Sequence, residues 1–261
     1  GAACPACGAS LLRLAGAGTQ RAERELAQAF PAARVLRLDT DVARDRAAPA
    51  DVLRRFARGE ADVLLGTQMI AKGLDFPRVT LVGVLDADVA LHLPDFRAGE
   101  RTFQLLVQVS GRAGRGRAPG EVLVQTCTPE HPAIAALLAA GGAARYLARE
   151  RDERREAGYP PFTRLVSLLV SGPLEAEVER LAQALGERAA AAGAPRAVEV
   201  LGPAPQAFAR LRGRHRWHLL LKGAAASAVR ETAAAALAWA EAERLPRGIR
   251  IAADVDPIEV L

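Results

Sequence analysis

The sequence predicts an α/β chain of two unequal units: a parallel sheet covered by helices, then a smaller α+β domain. Three observations carry this. Up to about residue 135, short apolar runs alternate with amphipathic helical stretches, the pattern of strand–helix–strand connections. Several of those runs are apolar at almost every position, as in strands buried on both faces. After the break Gly158-Tyr-Pro-Pro161 the pattern restarts in a different order, because Gly and Pro end regular structure.

Thr19 precedes a helical stripe of Ala22, Leu26, Ala29 and Phe30 and suits its N-cap. Residues 34–39 read as a strand. Pro49 opens a helix with Val52, Leu53 and Phe56 inward and Gly59 past its end. Residues 62–66 and 79–85 are apolar strands, 100–111 are helical, and 121–125 are a further strand. Residues 9–135 thus form one lobe. The Ala-, Arg- and Glu-rich residues 136–158 read as a connecting helix. Strands at 163–170, 197–201, 216–221 and 248–253, with helices at 174–192 and 225–242, then give the order βαββαβ. That is the ferredoxin-like plan, and it sets the second domain at 159–261.

Composition narrows the class. Half of the 261 residues are hydrophobic and only 4% are aromatic, so the cores are built from Ala, Leu and Val. No apolar stretch approaches the roughly 20 residues of a membrane-spanning helix. The opening Gly1-Ala-Ala-Cys-Pro-Ala-Cys-Gly8 has neither Met nor a signal peptide, and the chain reads as part of a longer protein. Net charge is +5, and only Lys72 and Lys222 among the 35 basic residues are lysines. A GC-rich genome accounts for most of that arginine preference. The basic balance itself favours a polyanion partner modestly. Three cysteines give no disulfide framework, so a reducing cytoplasm is expected. Cys127, in a strand-like run, is expected as a buried thiol.

Two runs carry chemistry. Gln108-Val-Ser-Gly-Arg-Ala-Gly-Arg115 lies between a helix and a strand. Arg112 and Arg115 are three apart and share a helical face or extend together from its end. Phosphoryl transfer needs positive charge placed against the γ-phosphate, and Gln108 suits positioning a water or sensing the γ-phosphate. The second run, Gly66-Thr-Gln-Met-Ile-Ala-Lys-Gly-Leu-Asp-Phe-Pro77, follows a strand, where α/β folds place ligands. Thr67 and Gln68 suit a nucleic-acid backbone, and Asp75 a ribose hydroxyl. Taken alone, this run reads equally well as an ordinary strand–loop–helix turn.

Together the runs match motifs V and VI of superfamily 2 helicases. With Cys4-Pro-Ala-Cys-Gly8, Gly16-Ala-Gly-Thr-Gln-Arg21, Pro94-Asp-Phe-Arg-Ala98, Glu100-Arg-Thr-Phe-Gln-Leu105, Tyr159-Pro-Pro-Phe162, Leu201-Gly-Pro203 and Asp254-Val-Asp-Pro257, the chain resembles the PriA family of primosomal replication-restart helicases (primosomal protein N-prime). Gln20 departs from the family's usual Glu. The resemblance implies a RecA-like second motor lobe, a C-terminal DNA-binding domain, and a parent enzyme that is an ATP-driven 3′-to-5′ DNA helicase acting at stalled forks. It implies ATP with Mg²⁺, contacted by Arg112 and Arg115 across a cleft from lobe 1, with Gly73 and Asp75 near the nucleotide and Thr67 near DNA. It also implies forked and single-stranded DNA, other primosome proteins, a replicative helicase loader and a single-strand-binding protein as partners, and no membrane. The chain contains no G-x-x-x-x-G-K-[ST] phosphate loop and no D-E-x-H run, so by itself it is expected to be inactive toward ATP.

Cys4 and Cys7 supply half of a tetrahedral zinc site. By resemblance, residues 1–8 are the end of a zinc-binding insertion, and here the pair is expected to be metal-free. In the small domain, Arg210, Arg212, Arg214, His215, Arg216 and Lys222 surround Trp217, which suits phosphate contact and base stacking. A solvated hairpin with Trp217 buried fits the same residues. The alternative to a helicase is a non-catalytic module for branched or single-stranded DNA, built on a relic lobe.

Overall fold

The structure, a computed structural model, describes residues 18–39, 48–67, 70, 76–114, 119–243 and 245–260. The chain divides into two units: residues 1–92 with 99–142, and residues 93–98 with 143–261.

In the first unit, α1 (Thr19–Ala29) and α2 (Ala48–Arg58) accompany the strands β1 (Val35–Leu38) and β2 (Val63–Gly66). β1 and β2 pair in parallel, Leu38 beside Gly66. The approach is close: a Cβ on Gly66 would lie 2.3 Å from the Leu38 carbonyl oxygen. Arg34 ties the strands further, its guanidinium binding Asp62 at 2.7 Å. These hydrogen bonds, above all from the Arg34 side chain, hold the Asp62 carboxyl down at about 2. A second parallel pair joins β3 (Leu81–Val84) and β4 (Glu121–Val124). Between them lie α3 (Asp88–Leu91) and α4 (Ala98–Ser110). α4 buries Thr102, Phe103 and Leu106, one stripe at helical spacing.

Three sequence expectations change here. The strands form two parallel pairs, and β3–β4 alternates, with Leu81 and Leu123 exposed rather than buried on both faces. The stretch 136–158 is two helices, α5 (Pro132–Leu138) and α6 (Gly142–Glu156). Pro132 sits in the first turn of α5, the imidazole of His131 accepts from Ala133 N, and Ala139 is extended and ends the helix. Cys127 is an exposed thiol, because β4 stops at Val124 and Cys127 falls in the following turn.

The second unit has β5 (Arg164–Gly172), α7 (Glu175–Gly193), β6 (Glu199–Leu211), β7 (Arg214–Gly223), α8 (Ala226–Ala242) and β8 (Arg250–Val255). The sheet order is β6-β7-β5-β8, antiparallel throughout, as the ferredoxin-like plan requires. Alternation on β5 sends Val166, Leu168 and Val170 to one face, opposite Leu221, Leu219 and Trp217 of β7. That face packs on Val178, Leu181, Ala182 and Leu185 of α7 and on Val229, Ala233 and Ala236 of α8. Alanines on both helices let them lie close to the sheet, so few aromatics are needed. The β6–β7 hairpin is longer than expected. Its turn places Arg212 at φ 50 and Gly213 at φ 78, the two positive values of a tight hairpin turn.

Candidate nucleotide and nucleic-acid sites

The carboxyl ends of β1 and β2 carry Asp39 and Thr67 side by side, each one residue past the paired Leu38 and Gly66. Thr67 is exposed. Asp39 is buried, accepts from Thr19 Oγ1 at 2.7 Å and lies 3.1 Å from the Arg37 guanidinium. Thr19 is thus the first residue of α1 rather than its cap, and its hydroxyl fastens that helix to the strand end. Asp39 was not singled out from sequence, although an acid closing a parallel strand is a usable signal. Gln68, Lys72, Gly73 and Asp75 lie outside the described residues.

Gln108 is exposed on α4, and Arg112, half-buried, follows four residues later in the turn after the helix. The backbone then narrows to a neck. Gly114 N donates to Val79 O at 3.2 Å and Glu121 N to Thr80 O at 2.8 Å. Gly114 has φ +74, and a Cβ on Gly120 would lie 2.1 Å from Gly114 N. Gly114 and Gly120, on either side of Arg115 in sequence, are therefore held together at one point beside the start of β3. Arg115 itself lies outside the described residues, as do Cys4 and Cys7. Among the described residues there is no cluster of metal-ligating side chains.

Asp88 holds the far end of the β3–β4 pair. Its carboxylate accepts from Thr128 Oγ1, from Cys127 N at 2.7 Å and from Thr126 Oγ1 at 2.8 Å. Those bonds, led by Thr128, hold the acid at about 2.

In the second unit the proposed basic residues divide. Arg214 Nη2 donates to Ser171 O at 2.8 Å and Gly248 O at 2.7 Å, tying β7 to the loop before β8. Lys222 pairs with Glu199 at 2.9 Å and donates to Ala157 O at 3.2 Å. Trp217 packs on the helix-facing core. Arg210 and Arg212 are exposed at the hairpin end, and Arg216 is half-buried. Sequence reading missed Phe208, which is 57% exposed on β6.

The sheet's other face holds a cavity of about 200 Å³ lined by Phe96, Tyr159, Leu201, Gly202, His218 and Leu220, among others. Phe96 stacks on Tyr159 with centroids 4.6 Å apart. Asp95 accepts from Arg97 N at 2.9 Å and from Val260 N at 3.3 Å, while Arg97 Nη1 donates to Pro257 O at 2.9 Å. Four runs distant in sequence meet here: Pro94–Ala98, Tyr159–Phe162, Leu201–Pro203 and Asp254–Pro257.

His218 Nδ1 is buried without a hydrogen-bond partner among the described residues. Burial, and secondarily the Arg216 charge, push its pKa below the ordinary imidazole value of 6.5. The unfolded chain then takes up a proton first as pH falls through 6.5, so stability declines below that point. Thermal unfolding between pH 8 and 5 should show that decline, and His218→Gln should flatten it. An unchanged slope in the variant would assign the decline elsewhere.

Comparison with known proteins gives two domain matches in series. Residues 14–117 match the helicase conserved C-terminal domain, and residues 155–258 match the primosomal protein N C-terminal domain. The chain is 45% identical over 219 residues to the replication restart protein PriA of Synechocystis sp., and 46% identical over 220 residues to that of Bacillus subtilis. The chain belongs to the PriA family. Each of those alignments covers 84% of this chain but only 26% and 27% of the relative. The Treponema pallidum PriA is 38% identical over 258 residues, 99% of this chain and 38% of the relative. The chain thus spans well under half the length of these PriA proteins. The helicase match covers much of the first unit, including α4 and Gly114, and ends just before Gly120. Of the four runs that meet around Phe96 and Tyr159 in the second unit, three fall in the primosomal match, and Pro94–Ala98 falls in the helicase match. No helix among the described residues is long and apolar enough to cross a membrane.

Proposed function

We propose that this chain supplies the second motor lobe and the C-terminal DNA-binding domain of an ATP-driven helicase. That enzyme moves 3′ to 5′ along DNA, recognises stalled forks and restarts replication. The supporting observation is the joint occurrence of a helicase C-terminal domain, with Gln108 and Arg112 presented at the end of α4, and a primosomal C-terminal domain after it.

In this reading Arg112 and Arg115 contact the phosphates of Mg-ATP bound to a first lobe, and Gln108 positions the attacking water. Gly73 and Asp75 lie near the nucleotide, and Thr67 and Gln68 near the DNA backbone. The donor set of this chain fits half of such a site. It offers guanidinium groups but no phosphate loop, and that loop's amides and lysine are what cradle the phosphates. When bound, Mg-ATP would supply the hydrolysable phosphoanhydride bond, and Arg112 and Arg115 would offset the charge on its phosphate oxygens. Zinc is served in the same partial way, with Cys4 and Cys7 providing two of four ligands. Partners on this reading are forked and single-stranded DNA, other primosome proteins, a replicative helicase loader and a single-strand-binding protein, with the reducing cytoplasm as the compartment.

Fluorescence anisotropy of the 261-residue chain against forked, single-stranded and duplex DNA over a salt series tests the DNA part. The expected result is fork preference with affinity falling linearly on a log–log salt plot. No binding even at low salt would defeat it.

A further inference from the structure

We propose that Phe208 is a stacking platform for a base of single-stranded nucleic acid, held out from the sheet among unpaired arginines. The inference rests on the reading that the second domain contacts DNA, and it assigns the stacking to a residue other than the one sequence favours.

Three observations carry it. The first is charge. Between Glu199 and Glu231 the chain has no acidic residue, while it has Arg210, Arg212, Arg214, Arg216, Lys222 and Arg230. Most arginines that flank carboxylates elsewhere are paired, as Arg34 is with Asp62 and Arg154 with Glu150. Arg210, Arg212 and Arg216 have no carboxylate partner among the described residues. Three unneutralised guanidinium groups within seven residues make a local field that attracts a polyanion.

The second is geometry. Along β6, Pro205 pairs with Trp217 and Arg210 with His215. Five steps on one strand therefore match two on the other, and the excess residues of β6 swell out as a bulge. Bulges redirect side chains away from the ladder. Phe208 stands on this one, 57% exposed, with Leu211 49% exposed nearer the turn. Phe208 and Arg210 are two residues apart, and both are exposed.

The third is the fate of the other aromatic. Trp217 lies opposite Val170 on the face that packs against the helices, so its ring is spent on the core. Phe208 is the aromatic ring beside the free arginines that remains open to a ligand. An exposed ring contributes little to folding, whereas an aromatic face in a basic groove suits any base, because every base has a π-face. The surrounding charge argues against a docking apolar protein surface, which would have to desolvate those guanidinium groups.

The test measures binding of the 261-residue chain and its variants to a labelled oligothymidylate of about 16 nucleotides, with an abasic strand of the same length as control. Phe208→Ala should weaken binding to oligothymidylate roughly ten-fold or more while leaving the salt slope unchanged, because no phosphate contact is lost. Phe208→Tyr should bind like the wild type. Arg212→Ala should lower the salt slope by about one. On the abasic strand, wild type and Phe208→Ala should bind alike. Equal affinity of wild type and Phe208→Ala for oligothymidylate would overturn the stacking role and leave the DNA reading intact. An equal loss on the abasic strand would overturn it too. A wild-type chain that binds neither strand at low salt would overturn both. Unfolding curves of each variant confirm that the exposed position leaves the fold in place.

Discussion

Arg112→Ala, placed in a protein that joins this chain to an ATP-binding first lobe, should lower DNA-stimulated kcat by about 10³-fold or more, with a much smaller change in KM for ATP. A guanidinium aimed at the γ-phosphate stabilises charge that spreads over the phosphoryl oxygens as the bond breaks. That stabilisation grows toward the transition state, so the loss falls on kcat. Arg112→Lys should recover only part of it, because an ammonium keeps the charge without the planar fork. Steady-state ATPase with saturating single-stranded DNA reads the effect. A variant that hydrolyses ATP at the wild-type rate would remove Arg112 from the chemistry. A variant that loses kcat and folded stability together would make it a structural arginine.

The second large effect belongs to the neck. In Gly120→Ala the new Cβ would meet Gly114 N at 2.1 Å and the Ala113 carbonyl carbon at 2.3 Å. Both are backbone atoms, so the two strands of the neck must part. Gly114 has φ +74, a conformation that glycine adopts readily and other residues do not. A separation of about 1 Å between Gly114 and Gly120, which flank Arg115 in sequence, should cost on the order of 10²-fold in ATPase rate, since phosphoryl transfer depends on positioning. The neck lies in the first unit, so DNA affinity residing in the second unit should be unchanged by anisotropy. Wild-type ATPase in Gly120→Ala would show that the clamp has no catalytic consequence.

What the sequence reveals depends on how local each feature is. The four strands of the second unit are legible because β5 and β7 carry their apolar residues in runs. The extent of β6 is not. Residues 204–211 have no apolar alternation, and they are held in the sheet by pairing with β7. The short helices α3 and α5 are lost for want of a full amphipathic stripe. The same distinction governs the candidate sites. Gln108, Arg112 and Arg115 lie in one segment, so their joint meaning is readable without coordinates. Asp39 acquires meaning only when β1 is known to lie beside β2 and thus beside Thr67. The contrast between Trp217 and Phe208 depends on register: a tryptophan among arginines looks like a stacking residue until its partner is known to be Val170. A bulge of a few residues on β6 then decides which aromatic faces solvent.

On the proposed function this chain is one half of a motor. Its most direct test is DNA-stimulated ATP hydrolysis, measured for the 261-residue chain alone and for the same chain joined to a lobe that carries a phosphate loop. No DNA-stimulated turnover above background is expected for the chain alone, and turnover that depends on Arg112 is expected for the joined protein. DNA-stimulated hydrolysis by the chain alone, or turnover in the joined protein that is indifferent to Arg112, would contradict the proposed function.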